Sequence, residues 1–244
     1  MISASINLSK EVKIGLVSSA IIFVIIAFVV YMILLAKTRK IRNELSTKEA
    51  QRAHEAIIKL RGEELGEFPK ELKEFLKSKL DDYDLENLIN TIYLNDAKDV
   101  LLVGQNLEYP TALFKNKSLA QISLEKKNMD VSLWNRAVLE LPQYFSTQPN
   151  FIELDQIKSN NQRYKLIFAI NSKQTNQELF DTYYSLLEEN GMLVVLQNSN
   201  TKVGYKVLAR HLKISKIIYE LSYVKSGFLY IVKPAENKIN QQSN

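Results

Sequence analysis

Tyr164-Lys-Leu-Ile-Phe-Ala-Ile170, then Phe180-Asp-Thr-Tyr-Tyr-Ser-Leu-Leu-Glu-Glu-Asn190-Gly191, then Met192-Leu-Val-Val-Leu196 is the stretch that decides the fold. Its first and last pieces are short apolar runs, the mark of strands buried on both faces. Between them residues 178–189 carry helical spacing and reach Asn190-Gly191, a pair suited to a helix C-cap. Strand, helix and strand in that order make a parallel βαβ unit.

The same alternation extends both ways. Upstream, residues 99–103 (Asp-Val-Leu-Leu-Val) read as a buried strand ending at Gly104, and residues 109–117 as a helix. Residues 119–124 read as a second strand, 131–145 as a helix interrupted near Pro142, and 151–154 as a third strand. Downstream, residues 203–212 are helical. Residues 217–224 and 228–232 flank Lys225-Ser226-Gly227, a turn that suits an antiparallel hairpin. The pattern predicts an α/β fold: seven strands, mostly parallel, strand 1 central, closed by an antiparallel C-terminal hairpin.

The N-terminal fifth has a different character. The run from Ile14 to Ala36 (IGLVSSAIIFVIIAFVVYMILLA) holds no charged side chain. As a helix it reaches about 35 Å, enough for a hydrocarbon core of about 30 Å. A buried core helix is rarely apolar on every face over such a length. A cleaved signal would have a shorter apolar region and a small-x-small site, whereas Ile33-Leu34-Leu35-Ala36 runs straight into Lys37. The run therefore reads as an uncleaved anchor in the lipid bilayer. Lys37, Arg39, Lys40 and Arg42 follow it. By the positive-inside rule they place the N-terminus (residues 1–13) outside the cell membrane and the C-terminal domain in the cytoplasm, as a single-pass protein. The same cations lie where anionic lipid headgroups attract each by on the order of 1 kcal/mol.

That cluster also supplies most of the net charge of +5, so the rest of the chain is close to neutral and nucleic acid is not an expected partner. There is no cysteine among the 244 residues, which removes disulfides, thiolate nucleophiles and cysteine zinc sites. His54 and His211 are the only histidines, too few for a histidine-rich metal site. Ser46 and Glu49 form an S-x-x-E capping box, Pro69 suits the first turn of a helix over 69–80, and Asp84 suits the cap of a third. Residues 37–95 thus read as a juxtamembrane helical segment, 96–234 as the α/β domain, and 235–244 as a polar, disordered tail.

The order of elements over residues 99–233 resembles the class I S-adenosylmethionine-dependent methyltransferases, whose Rossmann-like sheet also has seven strands. In that family strand 1 runs into a turn of the form VLEIGxGxGYxT. Here the stretch is Val100-Leu-Leu-Val-Gly104-Gln-Asn-Leu-Glu-Tyr-Pro-Thr111. Gly104, Tyr109 and Thr111 match. Asn106 takes the second glycine's place, and asparagine tolerates the left-handed region. Leu102 stands where the family has an acid, and Glu108 where it has the third glycine. Residues 164–195 are similar to the small O-methyltransferase pattern YDLIFIDADK…YxxYxxLLxxGGLIVxDN. A mycoplasma-type group of single-span methyltransferase-like proteins is similar in its anchor, its lack of cysteine and this domain.

The resemblance implies S-adenosylmethionine as cofactor, with Gly104 and Asn106 at its methionine part and Asp155 near the adenine. Glu125, about 20 residues past the glycine turn, has the Rossmann spacing for a ribose diol. Small O-methyltransferases of the catechol type hold a divalent cation with acids after strands 4 and 5, and a hard cation wants carboxylates. Asn171, Ser172, Gln197 and Asn198 stand in that region instead, so no metal is expected. Plainer roles stay open: an ordinary strand-to-helix turn at Gly104, a surface Glu125 beside Lys126 and Lys127, a helix cap at Asp155 and a turn cap at Asn171. Trp134 reads as core, and Tyr183 and Tyr184 as packing or surface residues. No catalytic side chain is assigned. The two functions in view are a membrane-anchored methyltransferase and a methyltransferase-fold pseudoenzyme serving as a tethered interaction module.

Overall fold

The computed structural model describes residues 68–145 and 147–235, residues 55–61, and the isolated positions 52 and 66. The expected anchor, the Ser46–Glu49 capping box, His54 and the tail beyond 235 lie outside the described residues. Among the described residues no helix is long and apolar enough to cross a membrane. All the elements below fall in one compact unit, Ile57–Asn244.

The strands are β1 (Asp99–Gly104), β2 (Gln121–Glu125), β3 (Asn150–Ile152), β4 (Tyr164–Ile170), β5 (Leu187–Leu196), β6 (Ile218–Tyr223) and β7 (Gly227–Val232). They form one sheet in the order β3-β2-β1-β4-β5-β7-β6. Strands β1 to β5 pair parallel, with Val100 opposite Leu166 and Leu101 opposite Ser123. Only β7 runs against its neighbours, antiparallel to both β5 and β6. The expected seven strands, the β1–β4 pairing and the closing hairpin are all present.

Period-two alternation splits the core between the two faces. Val100, Leu102, Ile122, Leu166 and Phe168 face helices α1 (Lys70–Phe75), α2 (Asp82–Leu94), α3 (Glu108–Lys117) and α4 (Val131–Glu140). Phe114 of α3 meets Phe168 edge-on at 5.9 Å, and Trp134 of α4 meets Phe145 at 4.8 Å. Leu101, Val103, Ile167, Leu193 and Val195 face α5 (Leu154–Ser159), α6 (Asn176–Tyr183) and α7 (Tyr205–Ile214). Leu102, in the family's acidic position, is fully buried on the α1–α4 side.

Three sequence expectations need correction. The helix expected to run to Glu189 stops at Tyr183, followed by a 3-10 turn over Tyr184–Leu186 and then β5. Leu187 is wholly buried opposite Tyr164, and the register then shifts so that Met192 meets Leu166. Glu188, Glu189 and Asn190 bulge out to solvent, and Asn190 turns the chain back at φ +56°. A Cβ on Gly191 would lie 2.9 Å from the Glu188 carbonyl oxygen, so this glycine serves close packing and not a helix cap.

Asp84 does not cap α2. The extended residue Asp81 does, accepting from the Tyr83 N–H at 2.9 Å. Asp84 is buried and accepts from the N–H groups of Lys225 and Ser226, at 3.1 and 2.9 Å, in the β6–β7 turn. The first helix is short: Pro69 precedes it and Lys77, at φ +51°, ends it well before Leu80.

Candidate functional site

The chain order reverses direction across the sheet between β1 and β4, and the crevice beyond the carboxyl ends of such a pair is where open α/β sheets hold ligands. Gly104 closes β1 at φ +130°, and a Cβ there would fall 1.7 Å from the Ile170 carbonyl oxygen at the end of β4. Only glycine fits. The Gln105 N–H then donates to that oxygen at 3.3 Å. Asn106 follows at φ +53°, in the left-handed region that the sequence assigned to it.

This turn opens on a cleft of about 430 Å³. Asn106, Glu108 and Tyr109 line it from the β1–α3 side, Asn171 from the end of β4, and Asp130 with Leu133 from the start of α4. The fourth side is the loop after α1, with Leu76, Lys77, Ser78 and Lys79. The cleft therefore carries both signs of charge, Lys77 and Lys79 against Glu108 and Asp130. Glu108 is buried, and its carboxylate accepts from the Asp130 N–H, tying the turn after β1 to the start of α4. Tyr109 is 1% exposed, and its hydroxyl has no hydrogen-bond partner among the described residues. Burial, then the Asp82 charge, pushes that phenol above its ordinary range, so it is a neutral donor at physiological pH.

Of the residues expected at the site, Gly104 and Asn106 meet at this cleft. Glu125 ends β2, one strand away, with its side chain 12% exposed and one oxygen 2.8 Å from the Lys127 ammonium. Asp155 is exposed in the first turn of α5. Neither lines the cleft. The Asn171 side chain makes no hydrogen bond among the described residues, and Ser172 holds the following turn instead, accepting from the Gln174 N–H at 3.1 Å. Sequence reasoning missed residues 76–79 and Asp130. Local pattern gives no sign that the loop after a short helix crosses to the far end of the sheet.

The ends of β4 and β5 are built otherwise. Asn176, at the start of α6, and Gln197, after β5, exchange two side-chain hydrogen bonds of 2.9 and 3.0 Å, and both are buried. Asn198 donates to the Ser172 carbonyl at 2.9 Å, while its own side-chain oxygen accepts from the N–H groups of Asn200 and Thr201. These neutral amides satisfy one another, and a donor set of that kind does not fit a hard divalent cation. Among the described residues no three of His, Asp and Glu gather where they could hold a metal ion. His211 lies exposed in the last turn of α7, its ring 5.8 Å from that of Phe180.

Comparison with solved structures bears on the fold. A candidate caffeoyl-CoA O-methyltransferase from Staphylococcus aureus superposes with a TM-score of 0.53 at 18% identity, over 67% of this chain and 91% of that one. The O-methyltransferase from Bacillus cereus, solved with SAH, matches at 0.53 and 13% identity, over 73% and 97%. TomG from Streptomyces achromogenes, an O-methyltransferase solved with SAM, matches at 0.50 and 10% identity, over 70% and 93%. At these identities the likeness shows a shared architecture, the class I methyltransferase fold. No protein-family model and no curated protein matches the sequence.

Proposed function

We propose that this chain is a membrane-anchored methyltransferase that takes S-adenosylmethionine at the cleft beyond β1 and β4. The observation that carries the reading is the Gly104–Asn106 turn: a backbone pressed against the end of β4 where only glycine fits, opening on a cleft of about 430 Å³ at the sheet's switch point. The residues present fit such a cofactor. Lys77 and Lys79 offer cations to a carboxylate, and Glu108 and Asp130 offer anions to an ammonium, the two ends of an amino-acid moiety. Glu125, at the end of β2 one strand from the cleft, would be the acceptor for a ribose diol, and Asp155, exposed in the first turn of α5, would be the residue nearest the adenine.

The cofactor's sulfonium makes methyl transfer an in-line displacement, so the protein contributes mainly position and desolvation. Leu76 and Leu133 give the cleft its apolar walls. The neutral hydroxyl of Tyr109 gives it a buried donor. No strongly activated nucleophile is required of the protein, which suits a chain without cysteine. The run 14–36 and its basic flank support a single-pass tether with the domain on the cytoplasmic side, as in the mycoplasma-type proteins it resembles, and hence a membrane-associated acceptor.

Calorimetric titration with S-adenosylmethionine and with its demethylated product is the direct test, and saturable heat with both is expected. A folded protein that gives no heat with either leaves the second reading, a pseudoenzyme kept as an interaction module. That reading draws on Glu108, whose carboxylate is already committed to Asp130, and on the closed amide network after β4 and β5. For the tether, protease added to intact cells should spare a C-terminal tag, and loss of the tag would reverse the orientation.

A further inference from the structure

Helix α7 carries a surface that the cleft does not use. From Asn190 through Tyr219 the chain has no Asp or Glu, and it places Lys202, Lys206, Arg210, Lys213 and Lys216 there. The helix is fixed to the sheet by Leu208 and Leu212, both wholly buried. Helical geometry turns Val207, Arg210 and Ile214 to the opposite side, with Lys206 and Lys213 flanking them. Val207 is 68% exposed, Ile214 76%, and Val203, just before the helix, 61%. None of the five cations is in an ion pair among the described residues. The acids nearest in the fold are occupied or set apart: Glu178 of α6 closes a capping box, Asp181 of α6 accepts from Gln177 at 2.9 Å, and Glu220 belongs to β6.

We propose that the outward face of α7 docks on an anionic lipid surface, its branched aliphatic side chains entering the headgroup boundary and its cations meeting lipid phosphates. The inner side of α7 is spent on the sheet, so the aliphatic and cationic side chains that an interfacial helix uses must both come from its outward side, as Val207 and Ile214 do beside Lys206, Arg210 and Lys213. A nucleic-acid backbone would engage the cations and leave Val207 and Ile214 against phosphate. A second copy would set the same five cations against themselves, because a two-fold contact repeats one patch on both partners. The inference goes beyond the proposed activity and holds whether or not the cleft binds S-adenosylmethionine.

The absence of native cysteine makes the test direct. Val207→Cys and Leu139→Cys each give the full chain one labelling position. Leu139, 80% exposed on α4 across the sheet, is the control. Each is labelled with a polarity-sensitive fluorophore and reconstituted in vesicles of phosphatidylcholine, alone or with phosphatidylglycerol. Emission from position 207 should shift to the blue, and a lipid-borne quencher should reduce it several-fold, only when phosphatidylglycerol is present. Lys206→Glu with Lys213→Glu should abolish the change, and position 139 should not respond. Equal emission from position 207 in both vesicles overturns the proposal. So does a blue shift that follows protein concentration in phosphatidylcholine alone, which assigns the face to self-association. A response to a single-stranded oligonucleotide without lipid also overturns it, in favour of nucleic acid.

Discussion

Two turns at the same end of the sheet solve the problem of leaving a strand in opposite ways. After β1 the chain uses stereochemistry: Gly104 and Asn106 adopt positive φ, and the side chains beyond them face a cleft. After β4 only Asn171 shares that character, at φ +52° and facing the cleft; beyond it, and after β5, the chain uses hydrogen bonds, with Asn176, Gln197, Asn198 and Ser172 binding one another and leaving little for anything else. The first arrangement spends conformational freedom to keep groups available. The second spends available groups to hold conformation. Ligand chemistry therefore belongs to the turn after β1, with Asn171 facing it, and the rest of the β4–β5 side is scaffold.

The hardest test of that contrast is Gly104→Ala. A methyl group placed 1.7 Å from the Ile170 carbonyl oxygen forces β1 and β4 apart, and φ of +130° adds backbone strain. A loss of roughly 3 kcal/mol or more is expected in denaturant unfolding, together with loss of S-adenosylmethionine binding. A stable variant that still binds would show that the turn is an ordinary connection.

Next in size is the amide pair. Asn176→Leu leaves Gln197 buried with fewer partners, at a cost of about 1–3 kcal/mol. Replacing both by leucine should cost less than the sum of the single changes, because each single change strands the other amide. Cofactor affinity should not move in any of the three. A change in affinity as large as that in stability would assign the β4–β5 side to the site.

Much of this contrast is visible in the sequence before any coordinates. The apolar runs locate the strands because a sheet covered on both faces buries every residue of a strand, as in 164–170. Asn106 is legible at the turn because few non-glycine residues accept positive φ. What is not legible depends on distant pairing. Asn190-Gly191 looks like a helix end, but Leu187 gains more from burial opposite Tyr164 than from another helical turn. Asp84 looks like a cap, but its partners are 141 and 142 residues away. Residues 76–79 reach the cleft only because α1 and α2 pack over the sheet.

Glu125 divides the two sides on a smaller scale. Glu125→Ala should weaken S-adenosylmethionine binding by about 1–3 kcal/mol, the range for a hydrogen bond to a charged group. Stability should change little, because its partner Lys127 is 72% exposed and such pairs contribute about 0–1 kcal/mol. Tyr183 gives a readout that needs no ligand. Burial, and after it the Glu125 charge, pushes its hydroxyl up to about 12. The folded pKa exceeds the unfolded one, so the neutral phenol stabilises the fold below about pH 10, and that support is lost as pH rises toward 12. In Glu125→Ala the Tyr183 titration should move down. Normal cofactor binding with a shifted tyrosine would keep Glu125 in the fold and remove it from the site.

The smallest expected effect lies at the start of α6, where the scaffold side begins. The Thr175 hydroxyl accepts from the Glu178 N–H at 3.2 Å, and the Glu178 carboxylate accepts from the Thr175 N–H at 2.7 Å. Those bonds, the backbone one first and the hydroxyl one second, hold the carboxyl below its ordinary value. A carboxylate whose folded pKa is depressed stabilises the fold above its unfolded pKa, and that support is lost as pH falls through the folded one. Thr175→Ala removes the acceptor for the Glu178 N–H and one donor to its carboxylate. The variant should therefore be slightly less stable than the parent at neutral pH, and the gap should narrow as pH falls below about 4.5 and on through the lower folded value, beneath which Glu178 is protonated in both states. Urea unfolding at neutral and acid pH measures the gap. A gap constant across that range would mean that the cap acts through Thr175 alone, and Glu178 would then be a solvent carboxylate with no share in holding the β4–β5 side.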